Sequence, residues 1–259
     1  MIGGPPAVRP PEPRIGAPGR RRDLAGTGTA AGTAAGTPAG TADPDRTGFA
    51  AALVPGAGSG RHWLVQADGR WLPLPVRRWH GPAEPALHRV VDLCTGPTLD
   101  VGCGPGRATE AVARRGVPAL GVDTCATAVR LTRERGGSAL RRDVFDALPG
   151  EGRWAHVLLL DGNIGIGGEP AALLRRCAAL LRTGGTALVE AEAPDTGGWS
   201  GLARLAYQPG RRGLIRRSPE FRWARLAVDQ VHRYAPAGAL AVRRVLPVDG
   251  RWFVELVRG

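Results

Sequence analysis

From residue 96 to the C-terminus, short apolar runs alternate with segments of helical pattern, and that alternation dictates the architecture. The runs are TLDVG (98–102), PALGV (118–122), SALRR (138–142), WAHVLLL (154–160) and TALVEAE (186–192). Helices are expected between them. The clearest is AALLRRCAALLR (171–182), with Pro170 at its start and Gly184-Gly185 beyond its end. Leu173, Leu174, Cys177, Leu180 and Leu181 form its apolar stripe. Apolar strands separated by helices imply a parallel sheet covered on both faces. The chain closes with AVRRVLPVDGRWFVELV, two runs around Asp249-Gly250 that read as an antiparallel hairpin. The fold class expected is therefore α/β: a Rossmann-like, seven-stranded, mostly parallel sheet with a C-terminal antiparallel hairpin.

Such sheets bind ligands beyond the carboxyl ends of their strands. The first strand runs into D-x-G-x-G-x-G, with Asp100, Gly102, Gly104 and Gly106. Without Cβ atoms, the loop lets backbone N–H groups face a ligand closely, and the following helix adds positive partial charge. The dinucleotide fingerprint G-x-G-x-x-G would need glycine at 107, where Arg107 stands. The phosphate loop ending in Gly-Lys-Ser/Thr is ruled out, because the chain has no lysine. Asp123, Asp143 and Asp161 follow at the ends of the next three strands. Any one of them could be a helix cap or turn residue. Four acids on one sheet edge form a pattern, and an acid after the second strand suits two ribose hydroxyls.

TLDVGCGPGRATE, ALGVD, RRDVF, LLLDGN and LLRTGGTALVE together resemble the class I S-adenosylmethionine-dependent methyltransferases. The resemblance spans roughly residues 96–259 and includes the closing hairpin, which that family uses as its sixth and seventh strands. It implies S-adenosyl-L-methionine as cofactor. Its amino-acid part would lie against Asp100, Gly102, Cys103, Gly104 and Gly106. The ribose would fall to Asp123 with Thr124, and the adenine to Asp143 with Val144. Asp161 through Ile164 would face the reactive methyl. The implied activity is methyl transfer to a small molecule. A nicotinamide-dependent oxidoreductase and a non-catalytic cofactor-binding module are the alternatives. An aminopropyltransferase shares the fold, but no pair of acids is placed for a diamine.

The catalytic residue stays open. Methyl transfer from a sulfonium needs mainly an oriented acceptor and exclusion of water. His80, His232 and Tyr234 are the candidate bases. His232 is expected on a helix near 221–236 carrying Ala224, Ala227, Val228, Val231 and Tyr234. DGNI after the fourth strand lacks the Pro-Pro-aromatic run of the exocyclic-amino DNA methylases. The stretch from Ala193 to Arg225 reads as an irregular, substrate-facing insertion. Its residues 211–225 hold six arginines and one acid, Glu220. They are either a rim for an anionic acceptor or a solvated face.

Three segments are expected: a low-complexity, disordered tail (1–47), a cap (48–95) and the methyltransferase domain (96–259). The tail repeats TAAG with no large apolar side chain to offset the entropy of ordering. The cap carries apolar runs around Asp68-Gly69, a hairpin turn, and a helix from near Glu84. The net charge is +12, carried by 35 arginines. That bias is compositional and counts against reading the charge as a nucleic-acid signal. No apolar run reaches membrane-spanning length and no signal-peptide stretch is visible, so a cytoplasmic location is expected. Cys94, Cys103, Cys125 and Cys177 form no C-x-x-C pair, so neither disulfides nor a metal site is expected.

Overall fold

A computed structural model describes residues 49–54, 60–210 and 213–259. The expected tail (1–47) and Arg211-Arg212 lie outside the described residues. In chain order the elements begin with α1 (Phe49–Leu53), β1 (Arg61–Gln66), β2 (Trp71–Pro73), α2 (Val76–His80) and α3 (Pro85–Val91). The alternating section follows: β3 (Thr98–Val101), α4 (Arg107–Ala113), β4 (Ala119–Asp123), α5 (Ala126–Glu134) and β5 (Ala139–Arg141). It continues with β6 (Trp154–Leu159), α6 (Pro170–Leu180) and β7 (Leu181–Ala191). Then come β8 (Trp199–Gln208), β9 (Arg216–Arg217), β10 (Phe221–Arg225), α7 (Val231–Tyr234), β11 (Leu240–Val248) and β12 (Arg251–Arg258).

The main sheet has seven strands in the order β11-β12-β7-β6-β3-β4-β5. β5, β4, β3, β6 and β7 run parallel, and the β11–β12 hairpin joins antiparallel to β7. The expected α/β fold, with its closing hairpin, is the fold observed. Side-chain alternation explains the two covered faces. Leu99, Val101, Val157 and Leu159 pack toward α6, whereas Leu158, Leu160, Leu188 and Phe253 pack toward α3 and α4.

Three local expectations are corrected. No helix joins β5 to β6. Pro149 interrupts that link, and Gly150 and Gly152 adopt φ of +73° and +71°, which a helix cannot use. The helix expected near 221–236 is instead β10, a 3-10 turn at Val228–Gln230 and the four-residue α7. Phe221 to Arg225 pair with Ala203 to Trp199, so a partner distant in sequence overrides a plausible helical spacing. The stretch from 193 onward is not wholly irregular, because β8 is ten residues long.

β8 also pairs with β1, and the second sheet runs β10-β8-β1-β2, with β9 on β8. Segments from both sides of the alternating section therefore share one sheet. Its apolar face carries Leu64, Ala203 and Leu205, packed with Phe49, Phe221 and Trp223. That sheet closes over the carboxyl ends of the main strands, with a bridge from Ile166 to Trp223. At the junction a Cβ on Gly165 would collide with the Ala224 carbonyl oxygen, so only glycine permits the approach.

Candidate active site

Between the strand ends and the second sheet lies a cavity of about 750 Å³. One half is bounded by the glycine loop and the strand-end acids, the other by apolar side chains of the second sheet, α1 and α2.

The loop after β3 turns on three left-handed glycines, with φ of +69° at Gly102, +53° at Gly104 and +86° at Gly106. They serve different ends. A Cβ on Gly102 would meet the Asn163 side chain at 2.6 Å, and one on Gly106 would meet Thr132 at 2.7 Å. Gly106 does not line the cavity; its close approach packs α4 against α5. A Cβ on Gly104 would meet nothing within 4 Å. Gly104 and Cys103 both line the cavity.

Asp123 at the tip of β4 holds this loop in place. Its Oδ2 accepts from Gly104 N at 3.0 Å and its Oδ1 from Cys125 N at 2.9 Å. The Asp123 side chain also borders the cavity. Thr124 lines the cavity beside it. Asp143 is exposed and accepts from Phe145 N at 3.0 Å, a turn bond, while the adjacent Val144 is buried at the cavity wall.

Asp100 is buried, and its Oδ2 accepts from Thr109 N at 3.1 Å and Thr109 Oγ1 at 2.7 Å. Burial lifts its carboxyl from 3.8 to about 6, against the opposing pull of the Thr109 bonds. Stability from a raised carboxyl is full below its unfolded value and is lost as pH rises through about 6. Asp100→Asn keeps an acceptor for Thr109 and cannot ionise. It is expected to exceed the parent by about 3 kcal/mol at pH 8 and to match it near pH 4, read from urea midpoints at the two pH values.

Asp161 is the least isolated of the four acids. It takes φ of +52°, uncommon for a residue with a Cβ. Its backbone N–H donates to Glu190 Oε2 at 2.6 Å. Its carboxylate accepts from Arg78 Nη2 at 2.8 Å, Arg107 Nη2 at 2.7 Å and Arg251 Nη2 at 3.4 Å. Arg107 and Arg251 also both bind Glu84, and Arg251 binds Glu190 at 2.5 Å and 2.8 Å. Three arginines thus meet three carboxylates. Burial alone would lower Arg251, yet the Glu190 bonds and the charges of Asp161 and Glu84 hold its guanidinium above the usual value. Asn163 completes the arrangement, donating from Nδ2 to the carbonyls of Val101 (2.8 Å) and Gly102 (2.9 Å).

The candidate bases do not reach the cavity. His80 Nε2 lies 2.9 Å from the Ala52 carbonyl, and neither His232 nor Tyr234 lines the cavity. Of the arginine-rich stretch, Arg216 and Arg217 are exposed on β9, with Arg217 5.3 Å over the Trp71 ring. Arg222 and Arg225 do line the cavity. The four cysteines are buried thiols outside any disulfide, and burial pushes Cys94 and Cys177 up to about 12. No helix among the described residues is long and apolar enough to cross a membrane.

Residues 98–185, which carry the loop and all four strand-end acids, match the model of a family described as "Methyltransferase domain". The segment is similar to methyltransferase domains. Two curated relatives are similar to this chain, both named trans-aconitate 2-methyltransferase. The one from Paracidovorax citrulli (strain AAC00-1) is 30% identical over 128 residues, 46% of this chain and 49% of that protein. The one from Rhizobium meliloti (strain 1021) is 47% identical over 45 residues, 17% of this chain and 18% of that protein. The chain spans about half the length of the first and less of the second. Among solved structures, a SAM-dependent methyltransferase from Bacteroides fragilis, in complex with S-adenosyl-L-homocysteine, aligns with a TM-score of 0.64 at 20% identity. That alignment covers 85% of this chain and 97% of the other. The CcbJ methyltransferase from Streptomyces caelestis aligns at 0.56 with 18% identity, covering 70% and 92%. The fold expected from the sequence is the fold that the chain shares with these solved structures.

Proposed function

We propose that the chain transfers the methyl group of S-adenosyl-L-methionine to a small-molecule acceptor, with residues 96–259 as the methyltransferase domain and residues 48–95 helping to close its cavity. The observation that carries this reading is the space over Gly104, a left-handed glycine whose missing Cβ opens the loop toward the cavity while Asp123 pins its N–H. When bound, the cofactor supplies a methyl group already activated on a sulfonium.

The chain's own residues orient and enclose. Asp123 and Thr124 would hold the ribose, Asp143 and Val144 the adenine, and Asp100 through Gly104 the amino-acid part. Asp161, fixed by its arginines, stands at the boundary between the two halves of the cavity. The second sheet keeps water from the reacting centre. The curated relatives, named for trans-aconitate, support a small acceptor.

Gly104→Ala tests the reading. With open space around the new methyl, only the left-handed backbone is penalised, so the apo protein should lose about 1 kcal/mol. S-adenosylhomocysteine affinity, measured by isothermal titration, should fall far more, by about a hundredfold, because the methyl occupies ligand space. Equal binding by both proteins would remove the loop from the cofactor site.

A further inference from the structure

Resting on the methyltransferase reading, we infer that the acceptor is a lipophilic, ring-bearing amine, seated against the aromatic wall of the second sheet. Phe49 stands at the centre of that wall. Its ring centroid lies 6.3 Å from Trp79, 5.8 Å from Phe221 and 5.7 Å from Trp223, and Phe221 meets Trp223 at 5.9 Å. Leu64, Leu72 and Leu74 extend the apolar surface across β1 and β2. All of these line the cavity. A wall of this kind favours a flat apolar body.

Charge then discriminates among acceptors. Among the described residues, five arginines and six carboxylates line the cavity, so that lining is not cationic. Arg78 and Arg107 are bound to Asp161, and Arg225 Nε to Glu192 Oε1 at 3.0 Å. Arg142 and Arg222 are the remaining two, both on exposed positions. A polycarboxylate seated against the aromatic wall would find only the exposed Arg142 and Arg222 for its charges, while its apolar neighbours replace the water it gives up, so the wall suits it less well than an apolar body. Phenol and carbon acceptors need a base of higher pKa than a carboxylate, and no His, Tyr or Lys lines the cavity among the described residues. An amine avoids both problems. Burial beside apolar rings and a sulfonium disfavours the ammonium and leaves the nucleophilic free base. Its lone pair forms the new N–C bond. The C–S bond breaks with its electrons kept on sulfur, and the product ammonium releases a proton to water.

Three probes decide: 1-naphthylmethylamine, 1-naphthoate and trans-aconitate. Each is titrated calorimetrically into the full chain, with and without S-adenosylhomocysteine, and then offered with methyl-labelled donor. The amine should bind at least about tenfold more tightly than either carboxylate and should take the label. Trp223→Ala should weaken the amine by about tenfold and leave S-adenosylhomocysteine binding within about twofold. Equal or tighter binding of either carboxylate, preferential labelling of one, or retention of S-adenosylhomocysteine with no naphthyl binding overturns the inference. Those comparisons use the parent protein, so a poorly folded variant does not obscure them. If the amine binds but S-adenosylhomocysteine does not, the methyltransferase reading itself falls, and the acceptor role with it.

Discussion

Arg107→Met is expected to destabilise the protein by about 3–5 kcal/mol, the usual cost of removing one partner from a buried ionic cluster. Arg107 is 4% exposed and joins Glu84 to Asp161. Its loss leaves two carboxylates sharing fewer donors, with Asp161 still held in a left-handed backbone. For a chain of this size the melting temperature should drop by about 10 °C. A charge-balanced double variant, Arg107→Met with Glu84→Gln, should recover about 1–2 kcal/mol of the loss, because one stranded charge is gone. Urea unfolding of the three proteins measures both effects. A single variant within about 0.5 kcal/mol of the parent would show that the cluster is already solvated and has no structural weight.

The second large effect concerns ligand rather than stability. Asp123→Ala should reduce S-adenosylhomocysteine affinity by at least about a hundredfold. Each charged hydrogen bond to a ribose hydroxyl is worth about 1.5–3 kcal/mol, and about 1.4 kcal/mol is tenfold. The same substitution frees Gly104 N and Cys125 N, so the loop loosens as well. Asp123→Asn keeps an acceptor for one of those N–H groups and should cost about tenfold. Unaltered affinity in both variants would place the ribose elsewhere.

Much of the main sheet was legible because each of its strands announces itself locally. TLDVG and WAHVLLL are short, apolar and bounded by glycine or proline, and Asp249-Gly250 marks the closing hairpin directly. Phe221–Arg225 was misread because its neighbours Ala224, Ala227, Val228 and Val231 also satisfy a helical period. Only its pairing with β8 decides between the two, and no local pattern encodes that pairing. The ionic cluster was hidden for a different reason. Glu84, Arg107, Asp161 and Arg251 come from four separated segments. In a chain whose 35 basic side chains are all arginine, nothing marks the buried guanidinium against the solvated ones. The strand-end acids were visible as a row, yet the sequence could not show that Asp123 already binds its own glycine loop.

The second sheet draws β1 and β2 from one end of the described chain and β8 and β10 from the other. During synthesis the early hairpin must therefore wait, its edge unmatched, until the ribosome has released nearly the whole polypeptide. Nucleation in the central α/β layers can precede this, but the roof of the chamber is a late event governed by long-range pairing. Any fragment trimmed to the recognisable catalytic segment would leave its reaction chamber open to water.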